Sequence, residues 1–175
     1  MKPIADMTQI EMAAFVQDQL NSSNIRVVLS GGAAVAYRTE NRYTSYDIDL
    51  VNIYAAARKL IDSVMCSLGF TEEGRYFKHP ESQWFIEFPP GPLTVGLEYV
   101  ENVEEIPLAT GVLRILTATD SVKDRLAAYF HWGDEQCLHQ AVLIRQNAEV
   151  DMQEVERWSV KEGKLAEFQR FLAEQ

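Results

Sequence analysis

Val28-Leu29-Ser30-Gly31-Gly32, followed after residues 33–46 by Asp47-Ile48-Asp49-Leu50, decides how the rest of this chain is read. The first run closes a β-branched, apolar stretch, Ile25-Arg26-Val27-Val28-Leu29, with the character of a buried strand, and it stops at two glycines. The second alternates polar and apolar residues, the period-two signature of a strand with one buried face. On such a strand residues i and i+2 share a face, which sets the Cα atoms of Asp47 and Asp49 ~6.5–7 Å apart. Carboxylates so placed can converge on hard cations, and two Mg²⁺ ions ~3.5–4 Å apart suit an in-line displacement at a phosphate ester. The diglycine is complementary. It removes the Cβ atoms that would block a phosphate, and a helix starting there, over the helix-compatible residues 33–37, points its free N–H groups at negative charge. Ser30 adds a hydroxyl donor.

Other site chemistries find no support. There is no GxxxxGK[ST] loop and no GxGxxG fingerprint. His79, His131 and His139 lack HxxxH or HExxH spacing, and Cys66 and Cys137 form no CxxC pair, so neither a zinc site nor a disulfide framework is indicated and both thiols are expected in the core. Taken singly, an Asp-x-Asp strand is also what a half-exposed strand shows, and Gly-Gly is also a turn. Their order, behind an apolar strand, is what carries the reading.

Upstream, Thr8 and Glu11 form a capping box, and Ile10, Ala13, Val16 and Leu20 repeat at helical spacing. Downstream, residues 54–68 read as a helix with Ala56, Leu60 and Val64 on one side, stopped at Gly69. Residues 70–78 and 83–88 read as two strands around His79-Pro80-Glu81-Ser82, closed by Pro89-Pro90-Gly91-Pro92, since proline cannot donate to a ladder. Residues 94–100 and 112–116 are further candidate strands. Beyond Thr119-Asp120, residues 121–132, 134–146, 152–161 and 164–173 all read as helix, with Asp134 and Asp151 as caps. In Tyr129-Phe130-His131-Trp132 the aromatics read as packing between helices, with the floor of a base pocket as the alternative; Trp158, Leu165, Phe168 and Leu172 read as core. The expected fold class is α+β with an α/β core: a mixed sheet with flanking helices over residues 1–118 and a helical segment packed on it over 119–175.

The 175 residues, 47% apolar and 24% charged, suit one globular domain that buries roughly 70% of its unfolded surface. Disorder as the main state is excluded. No run approaches the ~18 apolar residues of a membrane helix, and no leader pattern opens the chain, so a soluble cytoplasmic protein is expected. With 16 basic against 26 acidic side chains the net charge is −10, which disfavours duplex DNA as a partner. The cations available to a triphosphate are Arg38, Arg42, Lys78, Lys123 and Arg125.

Leu29-Ser30-Gly31-Gly32-Ala33-Ala34-Val35, Ser45-Tyr46-Asp47-Ile48-Asp49, Glu87-Phe88-Pro89-Pro90-Gly91-Pro92-Leu93 and Val122-Lys123-Asp124-Arg125-Leu126 together resemble the nucleotidyltransferase superfamily with the DNA polymerase β-like fold, in particular small prokaryotic members of it. The resemblance covers residues ~25–140 and implies a nucleotidyltransferase-like mixed sheet, the diglycine at its entrance, and a third carboxylate on a neighbouring strand. Glu87 matches that third position. It implies Asp47, Asp49 and Glu87 as catalytic and metal-binding residues for two Mg²⁺ ions, with Ser30, Gly31, Gly32, Arg42 and Lys123 binding nucleotide phosphates. The implied activity is transfer of a nucleoside monophosphate from a nucleoside triphosphate to a hydroxyl on a small molecule, a protein or an RNA end, toxin–antitoxin components being among the relatives. Two other readings stand beside it. A non-catalytic nucleotide- or partner-binding protein is motivated by Glu where Asp is usual and by a long gap between the glycines and the Asp pair; a phosphodiesterase or nuclease would use the same carboxylates.

Overall fold

The first helix is fixed by its own first turn. In the computed structural model, which describes residues 2–54 and 57–174, the Thr8 hydroxyl accepts from the Glu11 N–H and the Glu11 carboxylate accepts from the Thr8 N–H, capping α1 (Gln9–Asn21). Met12, Ala13, Val16 and Leu20 turn inward from it. A tight turn leads into β1 (Val27–Ser30), buried along its whole length, and α2 (Gly31–Arg38) starts directly at the first glycine. β2 (Asp47–Asn52) returns antiparallel to β1, with Ile48, Leu50 and Asn52 buried and Asp47, Asp49 and Val51 half-buried on the other face. The alternation in the sequence is thus realised in register.

The next segments depart from expectation in instructive ways. α3 (Arg58–Ser67) starts later than the helical pattern suggested, and it buries Ile61 and Met65 while Leu60 is exposed. Ala56, counted on its inner side, lies outside the described residues. Apolar residues occupy two adjacent i, i+4 rows here, and only packing against the sheet selects between them. Residues 71–78 are a hairpin rather than one strand, β3 (Thr71–Glu73) and β4 (Tyr76–Lys78), because Gly74 takes a left-handed φ of 66° and reverses the chain. β5 (Phe85–Glu87) follows. β6 (Thr94–Val95) and β7 (Glu98–Tyr99) form a separate two-stranded ribbon where one run was expected. β8 (Val103–Leu108), rich in acid and holding Pro107, escapes sequence reading because it is an edge strand, where both features are tolerated. β9 (Gly111–Leu116) completes the sheet.

Among the described residues seven strands form one mixed sheet in the order β3-β4-β5-β2-β1-β9-β8. β2 runs parallel to β5 and β1 parallel to β9; the other pairs are antiparallel. α1 and α3 cover one face, where Leu29, Ile48, Leu50, Ile86 and Ile115 meet Met12, Val16 and Met65. On the opposite face Val28, Val51 and Leu116 pack with Leu93, leaving the Asp47–Asp49 end uncovered by this apolar group.

The helical third follows the expected boundaries closely: α4 (Ala118–Trp132), α5 (Glu135–Asn147), α6 (Met152–Lys161) and α7 (Leu165–Ala173). Thr117, Asp134 and Asp151 cap α4, α5 and α6 through side-chain acceptors. Phe130 stacks on Trp158 with ring centroids 5.5 Å apart, and Phe168 and Phe171 complete a second core, reached from α2 through Val35. Leu165 and Leu172, expected in that core, are exposed, and Phe171 takes their place. Trp132 projects outward. Cys137 is buried, whereas Cys66 is exposed, contrary to expectation. No helix among the described residues is long and apolar enough to cross a membrane.

One buried polar side chain ties the first helix to the sheet. The Gln17 amide donates to Arg114 O at 2.8 Å and accepts from Arg114 N–H at 2.6 Å, satisfying both backbone groups of a β9 residue. Gln17→Leu strands them, and we expect a loss of about 2 kcal/mol or more in urea unfolding with the fold retained by circular dichroism.

Candidate active site

The turn between β1 and α2 admits only glycine at its first position. Gly31 has φ 64°, and a Cβ built there would overlap Asp49 Oδ2, so the carboxylate occupies the space a side chain would need. At Gly32 a Cβ would come within 2.8 Å of Ser45 Oγ. Ser30 stands at the N-cap of α2 without spending its hydroxyl on a cap, and the first-turn N–H groups have no acceptor within the helix. The turn therefore offers hydrogen-bond donors directly beside an acid.

The sheet register lines up the acids. Ser30 lies opposite Asp49, Asp49 is level with Glu87, and Glu87 is opposite Tyr76, so one row crosses β1, β2, β5 and β4. Asp47 shares the Asp49 face two residues earlier. Gln9 fixes the entrance of β2 by donating to Ser45 O at 2.8 Å and Asp47 O at 3.1 Å, and the Tyr76 hydroxyl donates to Asp47 Oδ2 at 3.5 Å. Arg75 reaches Glu87 at 3.3 Å from the surface.

A pocket of about 350 Å³ opens at this turn, with Ser30, Gly31 and Asp49 on one side, Pro89, Pro90 and Pro92 along its rim, and Asp124 and Arg125 opposite. Arg125 comes from α4. Its Nη2 and Nε donate to Asp124 Oδ2 at 2.5 and 3.0 Å and its Nη1 to Gln140 Oε1 at 3.4 Å. Burial and then the neighbouring Glu87 push the Asp49 carboxyl up to about 6, with Asp47 and Asp124 adding to the effect and Arg125 opposing it.

The positions expected from sequence divide cleanly. Ser30, Gly31 and Asp49 line one pocket at the turn, with Gly32 next in the chain, and the sheet register sets Glu87 beside Asp49 and Asp47 two residues before it. Lys123 stands apart: its ammonium lies between Asp120 at 2.9 Å and Glu154 at 3.1 Å, lining a different pocket between the start of α4, α6 and β7. Arg42 is exposed in the loop before β2 and does not line the Asp49 pocket. Arg38 is spent on Glu104 and on the Leu116 carbonyl, and Lys78 on Glu73. Asp124 is the residue that sequence reading missed, and Arg125 the one it undervalued. In Lys123-Asp124-Arg125 successive side chains are turned ~100° apart on the helix, so only one part of the charged run can face the sheet, and packing decides which.

Among the described residues no three His, Cys, Asp or Glu side chains converge in metal-binding geometry. The donor set nonetheless fits a hard divalent cation. Mg²⁺ is usually held by one or two carboxylates with water and substrate phosphate oxygens filling its octahedron, and Asp47 and Asp49 supply such a pair.

This sheet, this turn and these helices make up a nucleotidyltransferase fold. The aminoglycoside nucleotidyltransferase ANT(2'')-Ia, in crystals with adenylyl-2''-tobramycin, superposes with a TM-score of 0.57 at 16% identity over 89% of this chain and 97% of that one. Its solution structure gives a TM-score of 0.51 at 15% identity, over 91% of this chain and 90% of that one. An antigenic nucleotidyltransferase-like protein from Paracoccidioides brasiliensis gives 0.55 at 15% identity, covering 91% of both chains. No family model matches the sequence, and no curated protein matches it significantly.

The crowded carboxylates leave a mark on stability. Because folded Asp49 keeps its proton to about pH 6 and the unfolded residue releases it near 4, stability falls as pH rises through that window, by up to about 3 kcal/mol. Asp49→Asn, compared with wild type by chemical denaturation in chelator, is therefore expected to gain stability at pH 7.5 relative to its standing at pH 4. An equal difference at both pH values would contradict the burial and charge crowding described.

Proposed function

We propose that the protein is a divalent-metal-dependent nucleotidyltransferase that moves a nucleoside monophosphate from a nucleoside triphosphate to the hydroxyl of an acceptor. The observation that carries this reading is the meeting of Asp47, Asp49 and Glu87 with the Ser30-Gly31-Gly32 turn, on a fold shared with nucleotidyltransferases. A small-molecule acceptor is favoured. The ANT(2'')-Ia crystals hold an adenylylated small molecule, and a net charge of −10 disfavours RNA.

Each side chain has a role in this chemistry. The α2 first-turn N–H groups and Ser30 receive phosphate oxygens, beside the Asp49 carboxylate that stands where a Gly31 side chain would be. Asp47 and Asp49 hold divalent cations, which when bound neutralise charge developing on the phosphates and leaving group. Glu87, level with Asp49, takes the proton as the acceptor oxygen forms its bond to the α-phosphorus. The bond from that phosphorus to the bridging oxygen breaks, and its electron pair leaves with pyrophosphate.

A second reading, nucleotide binding without turnover, is favoured by the Arg75 contact that engages Glu87. The two part on products. Wild type with α-labelled triphosphate, Mg²⁺ and a panel of hydroxylated small molecules is expected to release pyrophosphate and label an acceptor; binding without pyrophosphate release would support the second reading, and monophosphate release would indicate a phosphodiesterase or nuclease.

Binding comes first. With Mg²⁺ and the preferred triphosphate at ~100 times Kd, the native state should gain about 2.7 kcal/mol, a rise of roughly 5–10 °C in Tm for a chain of this size. Asp47→Asn and Asp49→Asn should lose this rise, each judged against its own ligand-free Tm. A folded wild type that shifts with no triphosphate would sink the enzyme reading.

A further inference from the structure

Another pocket, of about 390 Å³, opens between the start of α1, the loop entering β2 and the residues before β5, and it shares no lining residue with the pocket at Asp49. Gln9 stands in its wall with only 9% of its surface exposed. Its Nε2 makes both of its hydrogen bonds, to Ser45 O at 2.8 Å and Asp47 O at 3.1 Å, and its Oε1 takes no donor from the described residues. An amide so nearly buried needs a partner for its oxygen, and the pocket is where one can stand. Trp84 forms an adjoining wall, held by its indole N–H, which donates to Met7 O at 3.0 Å, and by the Tyr46 ring 6.1 Å away. Asp6 is the one charged residue among the described residues of the lining. Lys2, the nearest cation along the chain, is paired with Glu11 at 2.6 Å instead. An aromatic face, a carboxylate and an unmet amide oxygen thus surround one space.

We propose that this pocket binds a small organic cation bearing N–H groups, a primary ammonium or a guanidinium. The indole face attracts the charge, Asp6 supplies its counter-ion, and an N–H of the ligand meets Gln9 Oε1. A neutral molecule leaves Asp6 without a counter-charge, and an anion is repelled by it. The net charge of −10 adds a field that gathers cations over the whole surface. Neither metal nor nucleotide enters this binding. Gln9 makes the pocket more than a surface hollow, because the amide that receives the ligand also holds the carbonyls of Ser45 and Asp47. Hydrogen bonds joined through one polarisable group strengthen one another. Occupancy is therefore felt at the entrance of β2, two residues from Asp49.

The test is a titration of the protein, free of metal and nucleotide, with methylguanidinium and with n-butylammonium, followed by ¹H–¹⁵N and carbonyl-carbon nuclear magnetic resonance. Sodium chloride at about 0.15 M screens diffuse attraction to surface acids. Tetramethylammonium, a cation without N–H groups, and neutral 1-butanol are the controls. Wild type is expected to show saturable shifts of the Trp84 indole N–H and the Gln9 side-chain amide, with the Ser45 and Asp47 carbonyl carbons moving along the same curve. Tetramethylammonium should bind at least about threefold more weakly, and 1-butanol should not saturate. Asp6→Asn, at an exposed position, and Trp84→Leu should each weaken binding about threefold or more, read at the Gln9 amide.

No saturable shift at Trp84 and Gln9 with either cation overturns the site, and so does an equal response to 1-butanol, which would mark an apolar hollow only. Both of these are read on wild type, so a variant that fails to fold leaves the test intact. Equal affinity for tetramethylammonium overturns the contact with Gln9 Oε1, and wild-type affinity in Asp6→Asn overturns the counter-ion. If the Trp84 resonance responds while the Ser45 and Asp47 carbonyls stay still, the link to β2 is overturned. The nucleotidyltransferase reading is untouched by each of these results.

Discussion

The Asp49 carboxylate fills the place where a side chain at Gly31 would stand, and the rest of the site depends on that contact. It requires a left-handed glycine at the end of β1, an antiparallel β1–β2 register that sets Ser30 opposite Asp49, and a helix that begins without a linker. Once these hold, the acid and the free N–H groups of the first α2 turn are neighbours by construction. Gln9, reaching from α1 to the carbonyls of Ser45 and Asp47, prevents the entrance of β2 from drifting. The parallel pairing of β2 with β5 then brings Glu87 level with Asp49 with no further device.

Such an arrangement is unfavourable for the protein by itself. Three carboxylates on adjoining strands repel one another, and Asp49 is held well above the usual carboxylate range. Arg125 relieves part of this, but it is itself bound to Asp124, so the local balance stays acidic. Under the proposed function, a ligand bringing positive charge to the acids would relieve this crowding.

The helical third supplies one wall of the site. α4 delivers Asp124 and Arg125, and the β6–β7 ribbon, whose Thr94 also lines the pocket, is fastened to the C-terminal helices. Trp158 donates to Val95 O at 3.2 Å, Glu162 accepts from the Leu97 N–H at 2.7 Å, and Arg157 forks onto Glu98. The site is therefore shared between the sheet and the helices, which is why truncating the chain after the last strand would remove Asp124 and Arg125 from it.

The strand–diglycine–helix unit, the Asp-x-Asp strand, the capped helices and the helical third were legible in the sequence because each is written locally, in residue spacing, φ-permissive glycines and side-chain caps. The nearness of Glu87 was legible only through a resemblance, since it depends on strand order. What local pattern could not decide was orientation. Lys123, Asp124 and Arg125 are consecutive charges on one helix, and burial of Val122 and Leu126 on their inner side turns Lys123 to Asp120 and Glu154 and Arg125 to the Asp49 pocket. The choice of Ile61 and Met65 over Leu60, and the edge strand hidden in Val103-Glu104-Glu105-Ile106-Pro107-Leu108, have the same origin. Sequence by itself determined the strand–diglycine–helix unit and the acid pair that follows it. Tertiary structure decided which cation faces that pair, because the direction of a side chain on a helix is set by what the helix packs against.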